Sequence, residues 1–278
     1  MGSKTLDGRP VVLTIAGLDP SGGAGIVADI KTIAAFGCFP TAALTSITFQ
    51  NTSGVFGALH QSGRTVRAQV EPILEDFSIA AVKTGMLPTK EIVGEDARLC
   101  RETKLPAPVV DPVMCSTTGQ DLIDDDAFKA IQVELLPLAC VITPNVPEAE
   151  RLVGFSIAKE SDMRRAAEAI RALGARAVLI KGGHLRDRRQ VEEGGRQEPG
   201  KLGEALDVLL DEAGKFTVFR EHFVDVGEVH GSGCTLSAAI AACLAIQMNL
   251  EEAIQAAKSF VTEAIRAAPR MGRGARPL

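Results

Sequence analysis

The sequence predicts an α/β protein: a single domain with a mostly parallel central sheet covered by helices on both faces. Two observations carry this. Short apolar runs rich in β-branched residues alternate with amphipathic stretches of ten or more residues, the rhythm of strand–helix–strand units. Polar and charged residues gather where several of those runs stop, and open parallel sheets bind ligands at the carboxyl ends of their strands. No internal repeat or clean linker divides the 278 residues, so residues 11–278 read as one domain behind a disordered tail at 1–10. A hydrophobic content of 46% is ample for a large core, and a net charge of −5 argues against a general nucleic-acid surface. No apolar run reaches membrane-spanning length, and residues 1–10 hold no apolar signal core. None of the six cysteines forms a CxxC pair, so zinc and redox motifs find no support and a reduced, cytoplasmic compartment is expected.

Taken in order, residues 11–16 form a strand buried on both faces. Gly17-Leu18-Asp19-Pro20-Ser21-Gly22-Gly23-Ala24-Gly25 follows as a tight loop, then a helix with Ile26, Ile30, Ile33 and Ala34 on one face. The loop lacks the GxGxxG spacing of a dinucleotide site. Residues 41–49 are a strand ending at Gln50-Asn51-Thr52, two amides suited to the edge of a heterocycle. A short strand at 55–60 and a helix at 65–76 lead to a strand at 79–84, which runs into Gly85-Met86. After a helix at 90–103, Val109-Val110 is a strand that stops at Asp111. A helix at 124–136 has acidic residues in its first turn, as the helix dipole prefers. The strand at 140–143 delivers Pro144-Asn145-Val146-Pro147-Glu148, and after a helix at 161–173 the strand at 177–180 delivers Lys181-Gly182-Gly183-His184. Residues 185–203, crowded with charge and glycine, are expected to be a mobile loop. Residues 205–210 and 216–220 read as a hairpin, and Ile254, Ala257, Val261, Ala264, Ile265 and Ala268 form the apolar stripe of a last helix.

The chain is organised around His230-Gly231-Ser232-Gly233-Cys234-Thr235, between a strand and an almost wholly apolar helix predicted from 235 to 246. The first N–H groups of such a helix have no partner within it and make an anion hole. The same field is expected to favour a thiolate at Cys234. An anion hole beside a base is what phosphoryl transfer to an alcohol needs, although a glycine-rich helix start without a ligand fits this stretch equally well. Asp111, Asn145, Glu148 and Lys181 are all predicted at strand ends. Taken singly, each has a plainer reading as a turn cap, a helix opening or a solvated end.

Together these blocks resemble the hydroxymethylpyrimidine/phosphomethylpyrimidine kinases of thiamine biosynthesis, members of the ribokinase-like superfamily. The similarity runs in family order through residues 16–25, 50–52, 84–86, 111–114, 143–148, 181–184 and 230–235. The resemblance implies ATP-dependent phosphorylation of 4-amino-5-hydroxymethyl-2-methylpyrimidine, then of its monophosphate. By that analogy Gly17, Asp29, Gln50 and Met86 surround the pyrimidine, and Cys234 takes the hydroxyl proton. The amides of Gly231, Ser232, Gly233 and Cys234 stabilise the moving phosphoryl group. Lys181 and Thr235 serve ATP, and Asp111, Asn145 and Glu148 place Mg2+. A homodimer is implied as well. A pyridoxine or pyridoxal kinase of the same superfamily, and a non-catalytic sensor of the pyrimidine, are the alternatives. The chain also departs from the family pattern. Cys115-Ser116-Thr117-Thr118-Gly119 stands where a lysine is usual, which predicts that the second phosphorylation is the weaker step. Phe49 stands where a small residue is usual and is expected to reshape the pocket.

Overall fold

The computed structural model describes residues 8–116, 119–183 and 204–278. Residues 1–7 of the expected tail, Thr117, Thr118, His184 and the expected mobile loop at 185–203 lie outside the described residues. Nine strands form one sheet: β1 Val11–Leu18, β2 Phe39–Asn51, β3 Gly54–His60, β4 Ile79–Thr84, β5 Val109–Val110, β6 Val141–Ile142, β7 Val178–Lys181, β8 Glu204–Leu210 and β9 Phe216–His222. Their order is β3-β2-β1-β4-β5-β6-β7-β8-β9. The run from β2 to β7 is parallel, and antiparallel β3, β8 and β9 close the two edges.

Side chains alternate across each strand, and both faces are apolar. Leu13, Ile15, Val82, Val110, Ile142 and Ile180 point to one layer, met by α2 (Gly63–Asp76), α3 (Lys90–Glu102), α4 (Asp125–Ala130), α5 (Val146–Val153) and α6 (Glu160–Ala172). Their neighbours Val12, Ala81, Val109, Val141 and Leu179 point to the other layer, packed on α1 (Gly25–Ala35), α7 (Ser232–Ala245) and α8 (Leu250–Ala267). The alternating units of the sequence thus become helices on both faces of a mostly parallel sheet, as expected. α7 is buried almost all round, which is why its sequence is apolar on every side.

Four elements differ from expectation. In α1, Ile30 and Ala34 face solvent, while Asp29 and Thr32 turn inward beside Ile26 and Ile33, because the buried face serves an ion pair as well as the core. The helix expected over 124–136 is regular only to Ala130; it widens into a π turn at Ile131–Leu135 and ends in a 3-10 turn at Leu136–Leu138. Pro137 supplies no N–H to continue an α-helix there. In α8 the polar Lys258 and Thr262 are buried with Ile254 and Ala257, whereas Ala264 and Ile265 are only half-buried. The chain after α8 folds back: β11 (Arg276–Pro277) pairs in parallel with β10 (Val229–His230), and the Ala275 N–H donates to the Thr52 carbonyl at 2.9 Å.

Candidate active site

A cavity of about 490 Å³ opens at the carboxyl ends of β1, β4, β5, β6 and β7, facing the start of α7. The turn into α7 is built on Gly231, whose φ of 95° is left-handed. A Cβ at Gly231 would stand 1.8 Å from the Gly23 carbonyl oxygen, so only glycine lets this turn press against the β1–α1 loop. No side chain caps α7, and Gly231, Ser232, Gly233 and Cys234 all line the cavity. The helix start is therefore free to receive an anion.

Asp19 organises the loop opposite. Its carboxylate accepts from the Ser21 N–H (2.8 Å) and hydroxyl (2.7 Å), the Ala24 N–H (2.9 Å) and the Gly23 N–H (3.2 Å), and it meets His230 Nε2 at 2.9 Å. Burial alone would raise its pKa, but hydrogen bonds from His230, Ser21 and Gln50 hold it well below the usual carboxylate range. Asp19 was not among the residues singled out from the sequence. The available signal was an aspartate at a strand end two residues before a serine, a pattern that folds the backbone around the carboxylate. Gln50, at the end of β2, lines the same end of the cavity. Gly17 and Met86 meet there too: a Cβ at Gly17 would sit 3.0 Å from the Met86 sulfur.

The other wall carries Asp111, Asn145, Glu148 and Lys181, brought together from β5, β6 and β7 as predicted. Lys181 Nζ lies 3.1 Å from Asp111 Oδ1, and also 3.1 Å from the position a Cβ would take on Gly233, so it hangs over the helix start. Burial lowers the Lys181 pKa, but Asp111 and Glu148 outweigh it and keep the ammonium charged. Asn145 and Glu148 form a reciprocal cap of α5. The Glu148 N–H donates to Asn145 Oδ1 (2.9 Å) and the Asn145 N–H to Glu148 Oε2 (2.8 Å). Asn145 thereby orients Glu148, whose pKa burial and Asp111 push up to about 7 against the pull of Lys181.

Four sequence expectations need correction. Asp29 does not line the cavity. It is fully buried, where it takes a hydrogen bond from Thr14 (2.6 Å) and both of its oxygens meet Lys83 Nζ (2.9 and 3.1 Å). Lys83 is the member of this pair that borders the cavity, and a lone lysine inside the apolar run of β4 was its signal. Burial lowers the Lys83 pKa, but Asp29, Cys234 and Asp111 together raise it above the ordinary value. Thr235 is 3% exposed and lies beneath the cavity wall, its N–H donating to the Gly231 carbonyl. The Cys234 thiol is pushed up to about 12 by burial and by the charges of Asp111 and Asp29, against Lys83 and the Gly25 N–H. The helix start alone does not make it a thiolate. Phe49 also stays away from the pocket: it is 53% exposed and lies over Gly57 of β3.

Among the described residues, no three His, Cys, Asp or Glu side chains form a ready-made metal centre. Asp111 and Glu148 nevertheless offer two carboxylates on one wall of the cavity. Such a sparse set of hard oxygens fits magnesium, which takes most of its ligands from phosphate and water.

Positive charge can be gathered here around one thiol and one helix start, as a phosphotransferase acting on a small alcohol requires. The chain belongs to the phosphomethylpyrimidine kinase family, whose model matches residues 19–278. The hydroxymethylpyrimidine/phosphomethylpyrimidine kinase of Streptomyces coelicolor is 42% identical over 97% of this chain and 93% of its own length. A thiamine biosynthesis bifunctional protein of Geobacter sulfurreducens is also 42% identical, over 97% of this chain and 52% of that longer protein. Among solved structures, an ADP complex of Bacillus subtilis pyridoxal kinase superposes with a TM-score of 0.83 at 37% identity, covering 97% of this chain and 96% of that one.

Proposed function

We propose that this protein is an ATP-dependent kinase of thiamine biosynthesis. It phosphorylates 4-amino-5-hydroxymethyl-2-methylpyrimidine at its hydroxymethyl group and then phosphorylates the monophosphate to the diphosphate. The observation that carries this reading is one cavity lined by Gln50 and Met86, by the α7 start with Cys234, and by Asp111, Glu148 and Lys181, with Lys181 hanging over that helix start. Family membership and the curated relatives support the same reaction.

The side-chain amide of Gln50, next to Asp19, matches the donors and acceptors of an aminopyrimidine edge, while Gly17 and Met86 supply the close apolar wall. Cys234 takes the hydroxyl proton. Its thiol is protonated at rest, so it serves as the base only after its own proton has passed to water; Lys83 is the counter-charge for the thiolate so formed. Magnesium held by Asp111 and Glu148 would supply positive charge to the phosphate oxygens. Lys181 and the N–H groups of residues 231–234 stabilise the phosphoryl group from the side of α7. Thr235 supports this turn from below, its N–H donating to the Gly231 carbonyl.

Six unpaired cysteines suit a reducing, cytoplasmic setting. The outer face of the β2–β3 ribbon leaves Phe49, Phe56 and Leu59 at 53%, 71% and 57% exposure, an apolar edge that supports a homodimer. Sedimentation of the wild type against a Phe56→Lys variant tests that assembly.

The pyridoxal kinase neighbour keeps a second reading, in which the alcohol is pyridoxal or pyridoxine. One experiment separates the readings: ADP release measured with the pyrimidine alcohol, its monophosphate and pyridoxine. Efficient turnover of both pyrimidines is expected. Turnover of pyridoxine alone would overturn the substrate assignment, and ligand binding without ADP release would leave a sensor.

A further inference from the structure

Residues 115–119 lack the lysine that the family resemblance leads one to expect, yet a second phosphorylation brings an acceptor carrying roughly two negative charges, as other phosphate esters do. Three lysine or arginine side chains line the cavity among the described residues: Lys83, Lys181 and Arg151. Lys83 is fully buried and held by both oxygens of Asp29, and Lys181 is held by the buried Asp111. Arg151 differs. It lies one turn after Glu148 on the same face of α5, with its guanidinium 4.8 Å from the centre of the Phe128 ring. Its ion pairs are long, 3.3 Å to Asp121 and 3.4 Å to Asp125, and those partners are 71% and 87% exposed at the side chain. Exposed pairs of this kind contribute little and are readily exchanged. A planar guanidinium that is always charged and pre-oriented on an aromatic face can take a phosphate with two parallel hydrogen bonds.

We propose that Arg151 binds the phosphate group of the monophosphate substrate and so supplies the charge that residues 115–119 lack. The inference rests on the kinase reading above, and it reverses the expectation that the second phosphorylation is the weaker step. Asp121 and Asp125 hold the guanidinium until that phosphate arrives, and the neutral alcohol draws on it far less.

The test compares KM for the alcohol, the monophosphate and ATP in the wild type, in Arg151→Met, which keeps an apolar stem over Phe128, and in the double variant Asp121→Asn/Asp125→Asn. Arg151→Met is expected to raise the ratio of monophosphate KM to alcohol KM roughly 10- to 100-fold, the worth of a charge-assisted hydrogen bond. The double variant frees the guanidinium and is expected to lower that ratio. If Arg151 only pins the Cys115–Asp121 segment to α5, both variants move the ratio the same way, and the proposal is wrong. A rise in ATP KM with either acceptor would assign Arg151 to the donor phosphates and equally overturn it. Wild-type protein that turns over the alcohol while Arg151→Met leaves the ratio unmoved refutes this proposal alone. Wild-type protein that phosphorylates neither pyrimidine refutes the kinase reading, and this proposal with it.

Discussion

Asp96, on α3, is fully buried, and neither of its carboxylate oxygens meets a hydrogen-bond partner among the described residues. Its neighbour Glu95 lies against Arg67 and Arg98, so the helix pairs one acid and leaves the next unpaired. Burial alone pushes the Asp96 pKa up from 3.8 to about 7. The sign follows from proton counts. Between about pH 4 and pH 7 the folded chain keeps this proton and the unfolded chain has lost it, so stability falls as pH rises through that window and levels off above it. Three pKa units at about 1.36 kcal/mol each set the full effect at about 4 kcal/mol. Asp96→Asn removes the titration while keeping the shape. Its stability relative to wild type should therefore climb by about 3 kcal/mol between pH 4.5 and pH 7.5, the part of the full effect that falls inside that range. At roughly 2–4 °C per kcal/mol for a chain of this size, the melting temperatures should diverge by roughly 6–12 °C. Paired thermal and urea melts across that range measure the difference, and groups common to both proteins cancel. Kinase turnover should be unaffected, since Asp96 does not line the cavity. A difference that stays constant with pH would show that the carboxylate is ionised and satisfied in the fold, and that burial is the wrong account of it.

Three further outcomes are expected at the site. Cys234→Ala should keep the fold and ATP binding but lose ~10²–10⁴ in phosphoryl transfer; near-normal turnover with an unchanged pH profile would remove the thiol from the chemistry. Gln50→Leu should raise the KM for the pyrimidine alcohol by about 1–3 kcal/mol, with less effect on ATP. A change confined to ATP would place Gln50 in the wrong half of the cavity. Gly231→Ala should cost both melting temperature and kcat, because its Cβ would fall 1.8 Å from the Gly23 carbonyl oxygen and the native φ of 95° disfavours alanine. Wild-type kinetics in that variant would mean the turn is not needed for the anion hole.

The layout of the fold and the four acidic, amide and basic groups on one wall were legible because they depend on local pattern. An apolar run marks a strand, the residues that end it fall at the sheet's carboxyl edge, and Asp111, Asn145 and Lys181 occupy such positions, with Glu148 in the first turn of the helix that follows. Electrostatics inside the site was less legible because its partners are distant in sequence. Lys83 and Asp29 are 54 residues apart, Lys181 and Asp111 are 70 apart, and Lys258 and Asp207 are 51 apart. Helical periodicity placed Ile30 on the inner face of α1 without knowing that Lys83 would draw Asp29 there instead. The local argument for a Cys234 thiolate counted the helix start and omitted burial and the two nearby carboxylates, which outweigh it. The same pairings say something about the chemistry. A cavity meant to hold polyphosphate keeps Lys83 and Lys181 neutralised by buried carboxylates, so their charge is oriented but not exposed. Binding an anion there must re-partition those pairs, whereas among the described residues Arg151 pairs with acids that water already solvates. The charge most easily redirected toward a newly arriving phosphate therefore sits on α5, outside the motifs that made the family resemblance visible.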